Sequence, residues 1–464
     1  LDTNLKIARA SFILVAASIL GHIVSLLKEM LVAYTFGIGP NMDAYYAAIA
    51  IPSIINTVLV STFGIVFIPI FIKYKTKNPE EANRASSIII NFLFVFLLLI
   101  TAVLYLSAPW VMKYTFHGFK SDSLAFTVQI FHIVCFTIIL SGLIGIISGI
   151  LNSYEHFGWP ALTQMFVTIS TIAFILVFSK SLGVLTLAYG LIAGLACQFV
   201  FLVPITVKKG YRYFMDFNWR HPAISEMAAS ASLLLVAFVI LQMNVLIDRI
   251  MASYLAPGSI SALGYADKLV QVPLLIFSSS IATAIFPYLS SQISENKISD
   301  FKHSVEMSVK MSGFIFIPLT VMLMILSRPI IQLLFQRGAF TENATDLTSM
   351  VFICYSLQLF FYTVALIFGR VYIALGYIKE FLVISVVGVA FKVVFNYIFM
   401  NLLSPRVAGI ALSTAVTLLL TSLLYVIVIE KKKINFDWKY IARVLKFLVI
   451  ASIFTGAAVY ASYN

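Results

Sequence analysis

The residues of this chain that could do chemistry are ionisable side chains set in or beside long apolar runs. Lys28-Glu29 follow the first run, Asp43 opens the second, Asp248-Arg249 end the seventh and Asp267-Lys268 open the eighth. Arg370 lies in the tenth run, and Lys392 stands near the middle of the eleventh with Asn396 one turn later. A charge in hydrocarbon costs about 2.5–3.5 kcal/mol on insertion scales, so charges kept there line a watery cavity, pair with one another or mark an ion path. His22 precedes Lys28 by about 1.7 helical turns, which sets their side chains roughly 120° apart, so both can border a wide cavity without touching. Adjacent opposite charges such as Lys28-Glu29 and Asp267-Lys268 can also pair between halves of the molecule as a gate, and near a span end such charges can instead snorkel to water. Snorkelling from Lys392 is hard. With Asn396 able to hydrogen-bond its ammonium, that pair reads as an ion or substrate site. Gln242 and Asn244 in the seventh run read as amide glue between helices.

Thirteen apolar runs must position these groups, among them 5–27, 43–72, 225–254, 267–291, 380–402 and 441–462. Each reaches the ~20 residues needed to cross the hydrocarbon core. With 61% hydrophobic and 11% charged residues, the chain reads as an all-α integral membrane protein, far from soluble composition. Barrel strands would be short and alternating, and these runs are neither. The chain also repeats itself. Lys28-Glu29 followed by Val32-Ala33-Tyr34 recurs as Asp248-Arg249 followed by Ala252-Ser253-Tyr254, and Phe67-Ile68-Pro69 recurs as Ile285-Phe286-Pro287. The offset joins spans of like direction, which makes the repeats parallel, and substrate sites of duplicated transporters lie where repeats face each other. The expected organisation is a six-helix lobe over 1–207, a second over 223–430, and an additional span within 439–464 that falls outside the duplication.

The net charge of +12 suggests nucleic acid only until its distribution is traced. With the N-terminus inside, 21 of the 31 basic residues fall on inward segments and nine on outward ones. That bias follows the positive-inside rule and expects a cytoplasmic N-terminus. Cys135, Cys197 and Cys354 stand singly in apolar runs, so neither a disulfide framework nor a metal spacing is expected. An enzyme would need clustered His, Asp or Glu at a helix end. The nearest candidate, Glu155-His156, has no evident partner in a short inner loop. The chain therefore reads as a transporter and not an enzyme, with no cofactor expected and a coupling cation left open.

Further stretches carry a family resemblance. Pro329 to Leu334 leading into Arg337-Gly338-Ala339-Phe340-Thr341, Gln242-Met243-Asn244 with Asp248-Arg249, Tyr265-Ala266-Asp267-Lys268 and Arg370-Val371-Tyr372-Ile373-Ala374-Leu375 together resemble the MurJ-type (MviN) lipid II flippases of the multidrug/oligosaccharidyl-lipid/polysaccharide exporter superfamily. The resemblance runs along nearly the whole chain. It implies a two-lobed, V-shaped bundle in the bacterial cytoplasmic membrane, which moves an undecaprenyl-pyrophosphate-linked saccharide to the outer leaflet by alternating access, with membrane lipids as its other partners. The family's cavity arginines fall on His22, Lys28 and Lys268, and one falls near the uncharged Asn56. Lysine keeps the charge but loses the fork that grips phosphate with two bonds. Another undecaprenyl-linked unit, such as an O-antigen, capsule or exopolysaccharide unit, is therefore the alternative cargo. A cation-coupled drug exporter of the same superfamily would need a deep carboxylate, where this chain has Lys392. A fourteenth span, usual in the family, is not visible.

Overall fold

The computed structural model describes residues 20–463. Every regular element among them is helical, as hydrocarbon demands of a spanning chain whose backbone polar groups must be satisfied internally. The first helix, α1, covers residues 20–36. There follow α2 (Pro40–Ala48), α3 (Ala50–Lys75), α4 (Pro79–Thr115), α5 (Ser121–Val134), α6 (Thr137–Ser153), α7 (Gly158–Thr163), α8 (Met165–Leu182), α9 (Leu185–Lys208) and α10 (Pro222–Ala252). Then come α11 (Ser259–Pro273), a π-helical turn (Leu274–Ser278), α12 (Ser279–Ser294), α13 (Ile298–Ile325), α14 (Ser327–Phe335), α15 (Glu342–Ser356), α16 (Gln358–Ala374), α17 (Ile378–Leu402), α18 (Arg406–Lys431) and α19 (Trp438–Tyr463). Twelve spans among the described residues are long and apolar enough to cross a membrane. They correspond to the second to thirteenth expected runs. Most of the first, 5–27, lies outside the described residues.

Helix ends follow local chemistry. Asn78 accepts the Glu80 N–H at the start of α4, where Pro79 occupies the first turn and Glu80 and Glu81 meet the positive end of the helix dipole. His221 caps α10 through the Ala223 N–H, again ahead of a proline.

Two expected positions need correction. α1 does not stop near residue 27 but runs to residue 36, where Gly37 takes a left-handed φ of 60° and its N–H closes on the Ala33 carbonyl. Lys28-Glu29 are therefore inside a helix rather than at its end. Asp267-Lys268 do not open the eighth span, because α11 starts at Ser259. Its first turns hold Ser259, Ser261 and Ala262, which are small or polar but buried in protein, so apolar run length missed them. The second and eighth spans consequently have the same length, 36 residues each (Pro40–Lys75 and Ser259–Ser294), and each is interrupted by a break.

Packing divides the chain into one unit up to Tyr254 and another from Leu255 onward. α10 packs along α3, within the first of these units. In that unit Phe67, Phe71, Leu97, Ile146 and Ile150 are buried together where α3, α4 and α6 meet. In the second, Phe301, Phe368, Tyr372 and Tyr425 fill the core. α19, outside the sequence duplication, lies along α13 at a glycine contact, where a Cβ on Gly313 would sit 2.3 Å from a Leu445 methyl.

The linker 208–222 is bound rather than loose. α4 presents Asn83, Ser87 and Asn91 at intervals of four, hence on one face. The Ser87 hydroxyl lies 2.9 Å from the Tyr211 hydroxyl and accepts the Phe214 N–H at 3.0 Å. Asn91 Nδ2 donates to the Asp216 carbonyl at 2.8 Å, and its Oδ1 accepts the Tyr213 hydroxyl at 2.5 Å. Arg84 pairs with Asp216 at 2.6 Å. That guanidinium, together with the Asn218 N–H, holds the Asp216 carboxyl below the usual carboxylate range.

Candidate functional site

Lys28, Glu29 and Arg249 of the first unit come together around Tyr45 and Tyr46, near the end of α10 away from the linker. α10 starts at Pro222 and rises about 1.5 Å per residue, which carries Asp248 and Arg249 far from it. Arg249 occupies the last turn of α10, where a cation meets the negative end of the helix dipole. Its Nη1 donates to the Tyr46 carbonyl at 2.8 Å, and its guanidinium stands 5.8 Å from the Tyr46 ring centre. Asp43 lies in the first turn of α2 and is 3% exposed, and Asp248 is buried as well.

On α1, Lys28 Nζ lies 2.8 Å from Glu29 Oε1, and Glu29 is 4% exposed. Neighbours in a helix do not ordinarily face one another, so the long lysine side chain must fold across to its neighbour. Tyr45, on α2, lies within electrostatic reach of Lys28, Glu29 and Arg249. Three spans thus bring two cations, a carboxylate and a phenol together. Such a nest can hold an anion or exchange ion pairs when the helices shift. Sequence reading missed Tyr45 and Tyr46. The Tyr pair directly after Asp43-Ala44 was the available signal. His22 is half-buried six residues earlier on α1.

The remaining expected residues do not all join this nest. Asn56, on α3, donates from Nδ2 to the Thr137 hydroxyl at 3.0 Å, leaving its Oδ1 buried with no hydrogen-bond partner. In the second unit Lys268 is exposed on α11, while Asp267 accepts Gln271 Nε2 at 3.3 Å. Arg370, on α16, stacks 5.6 Å from the Phe286 ring centre and buries an unpaired Nε. Arg328 ties α14 to α15 by bonds to Glu342 and Asp346 at 2.9 and 2.8 Å.

Lys392 and Asn396 are both fully buried, between α17 and α18. The ammonium donates to the Ser413 hydroxyl at 3.1 Å and to the Thr414 hydroxyl, and Ser413 donates to Asn396 Oδ1. An ion or substrate using those oxygens would have to displace the ammonium. Taking an ammonium out of water is costly, and neutral hydroxyl partners return only part of that cost, so an apolar residue of similar volume can substitute at little loss. Lys392→Met should therefore leave stability within about 1 kcal/mol of the parent, whereas Lys392→Ala, which also opens a cavity, should cost about 2 kcal/mol or more. Thermal unfolding in detergent checks both. A Met variant as unstable as the Ala variant would mean that the charge itself holds the two helices together. Among the described residues no group of three or more His, Cys, Asp or Glu could hold a metal ion.

Comparison with known proteins bears on these arrangements. The family profile described as lipid II flippase MurJ matches residues 32–463. A Buchnera aphidicola protein named "Probable lipid II flippase MurJ" is 27% identical over 412 residues, covering 86% of this chain and 79% of the relative. One of the same name from Rhizobium tropici is 27% identical over 468 residues, covering 98% and 87%. A solved structure of lipid II flippase MurJ in an inward closed conformation superposes with a TM-score of 0.84 at 24% identity, covering 97% of this chain and 93% of that one. An inward-facing multidrug resistance MATE transporter of the MOP superfamily shares the fold at a TM-score of 0.73 and 12% identity, covering 92% and 96%.

Proposed function

The chain belongs to the lipid II flippase MurJ family, and from that premise we propose that it carries lipid II, the undecaprenyl-pyrophosphate-linked peptidoglycan precursor, from the inner to the outer leaflet of the bacterial cytoplasmic membrane. The observation that supports this most is the nest of Lys28, Glu29, Tyr45 and Arg249 on three helices, partly open to the surroundings and with Glu29 buried at its base. A pyrophosphate and its sugars cannot shed their water in hydrocarbon without a large penalty. A cationic nest inside the protein replaces that water while the polyprenyl chain stays in lipid. Lys28 attracts the pyrophosphate, Glu29 releases it by taking the ammonium back, and alternating access exposes the headgroup first to one side and then to the other. His22 adds positive charge on α1, and Lys268 adds it separately on α11 of the second unit. Asp43, Asp248, Asp267 and Arg370 act as gating charges.

The basic bias supports a cytoplasmic N-terminus. An inside-negative potential then drives an anionic headgroup outward, with about 2.3 kcal/mol per charge per 100 mV. The activity is transport without bond chemistry and uses no cofactor. A coupling cation would show as a dependence on one monovalent salt.

The test is a proteoliposome assay with lipid II labelled on its peptide by a fluorophore that a membrane-impermeant reductant destroys. The expected result is loss of label beyond the outer-leaflet share. A parallel arm uses an undecaprenyl-pyrophosphate saccharide without the peptide, carrying the same fluorophore on its sugar. Protection of the inner-leaflet label in both arms would sink the reading, and loss only for the peptide-free lipid would reassign the cargo.

A further inference from the structure

The stretch joining α9 to α10 leaves several large apolar side chains well exposed. Tyr213, Met215, Phe217 and Trp219 are 53, 83, 45 and 48% exposed. Its polar backbone is turned the other way, toward Ser87 and Asn91 of α4. The Tyr213 hydroxyl also turns to Asn91, while Met215, Phe217 and Trp219 stay open on the outer side because the polar stripe of α4 fixes which edge of the stretch is buried. In water this would be an unfavourable surface.

What covers it is indicated by two observations. The aromatic surface continues onto a spanning helix: the Trp219 ring centre is 5.4 Å from that of Phe92, and Phe92 stacks on Phe96 at 6.4 Å. Phe92 and Phe96 are themselves exposed on α4, in a window rich enough in apolar residues to cross a membrane. The patch is thus continuous with a face that meets lipid. It is also flanked by exposed cations, Lys208, Lys209, Arg212 and Arg220, and it lies on the side of the membrane with the basic excess. The acidic residue within it, Asp216, is paired with Arg84.

We propose that residues 211–220 form an interfacial lipid anchor, with Met215, Phe217 and Trp219 seated at the level of the glycerol backbone and Arg212 and Arg220 binding the phosphates of anionic phospholipids. Aromatic residues favour this depth, and each arginine near an anionic surface adds attraction that screens with salt. The connector between α9 and α10 is then held on two sides, by the α4 stripe and by lipid. Lipid charge would set how firmly the entry to α10 is fixed. This inference rests on the chain spanning a membrane and not on what it transports.

Trp219 is its own reporter. In protein carrying Trp110→Phe, Trp159→Phe and Trp438→Phe, reconstituted into vesicles, phospholipids brominated near the headgroup should quench Trp219 and aqueous iodide should not. At equal mole fraction, brominated phosphatidylglycerol should quench severalfold more than brominated phosphatidylcholine, and Arg212→Gln with Arg220→Gln should erase the difference. If the triple variant folds poorly, the difference between the parent and Trp219→Phe gives the same readout. Strong iodide quenching with none from bromolipid would overturn the proposal and mark the patch as facing water or a soluble partner. Equal quenching by the two lipids in the parent would overturn the headgroup assignment.

Discussion

Lys28→Ala should lower headgroup translocation by about 10- to 100-fold, since a charge-assisted hydrogen bond contributes about 1.5–3 kcal/mol and each 1.36 kcal/mol is a tenfold change in rate. It should also destabilise the protein, for a reason unrelated to cargo. Glu29 is 4% exposed and its carboxylate lies 2.8 Å from the lysine. Removing one partner of a buried pair costs about 3–5 kcal/mol because the remaining charge loses compensation. Lys28 is itself partly open, with 23% of its side chain exposed, so the lower end applies. The two effects separate in a double variant. Lys28→Ala with Glu29→Gln should recover most of the thermal stability and none of the transport, while Lys28→Arg should retain both. Parental translocation by the double variant would remove Lys28 from the mechanism.

Arg249→Ala is the second large effect. The guanidinium gives a charge-assisted hydrogen bond to the Tyr46 carbonyl and stands over the same residue's ring. At about 1.5–3 kcal/mol for the first and roughly 1 kcal/mol for the second, truncation should cost about 3 kcal/mol. It also takes a cation from the nest around Tyr45. Arg249→Lys should recover only part of the loss, because an ammonium lacks the planar fork that donates to the carbonyl while lying over the ring. Thermal unfolding reports the first comparison and the proteoliposome assay the second. A lysine variant indistinguishable from the parent would show that charge alone matters at this position.

How far these sites could be read in advance depended on the kind of signal. The twelve spans of the described residues followed from run length, because hydrocarbon accepts only helices with satisfied backbones. The start of α11 did not, since Ser259, Ser261 and Ala262 are buried by protein rather than by lipid, and hydropathy cannot tell those environments apart. Likewise α1 passes through Lys28-Glu29 because the two charges pair. A charged dipeptide read alone marks a boundary. Lys392 stood out as a charge in mid-span, but its contacts with Ser413 and Thr414 required knowing which face of α18 meets α17.

The sequence by itself determined the class of molecule, the number and place of nearly all its spans, the bias in basic residues and the family. These follow from composition and order along the chain, which act locally on each segment's solvation. Only the tertiary structure decided that α10 packs with the first unit, that Tyr45 joins Lys28 and Arg249, and that Ser87 and Asn91 bind the linker. Those arrangements depend on helix rotation and on contacts between different helices, several of them between residues more than a hundred positions apart. No local rule of solvation specifies them, because a side chain's partner is chosen by whichever helix the packed bundle sets against it.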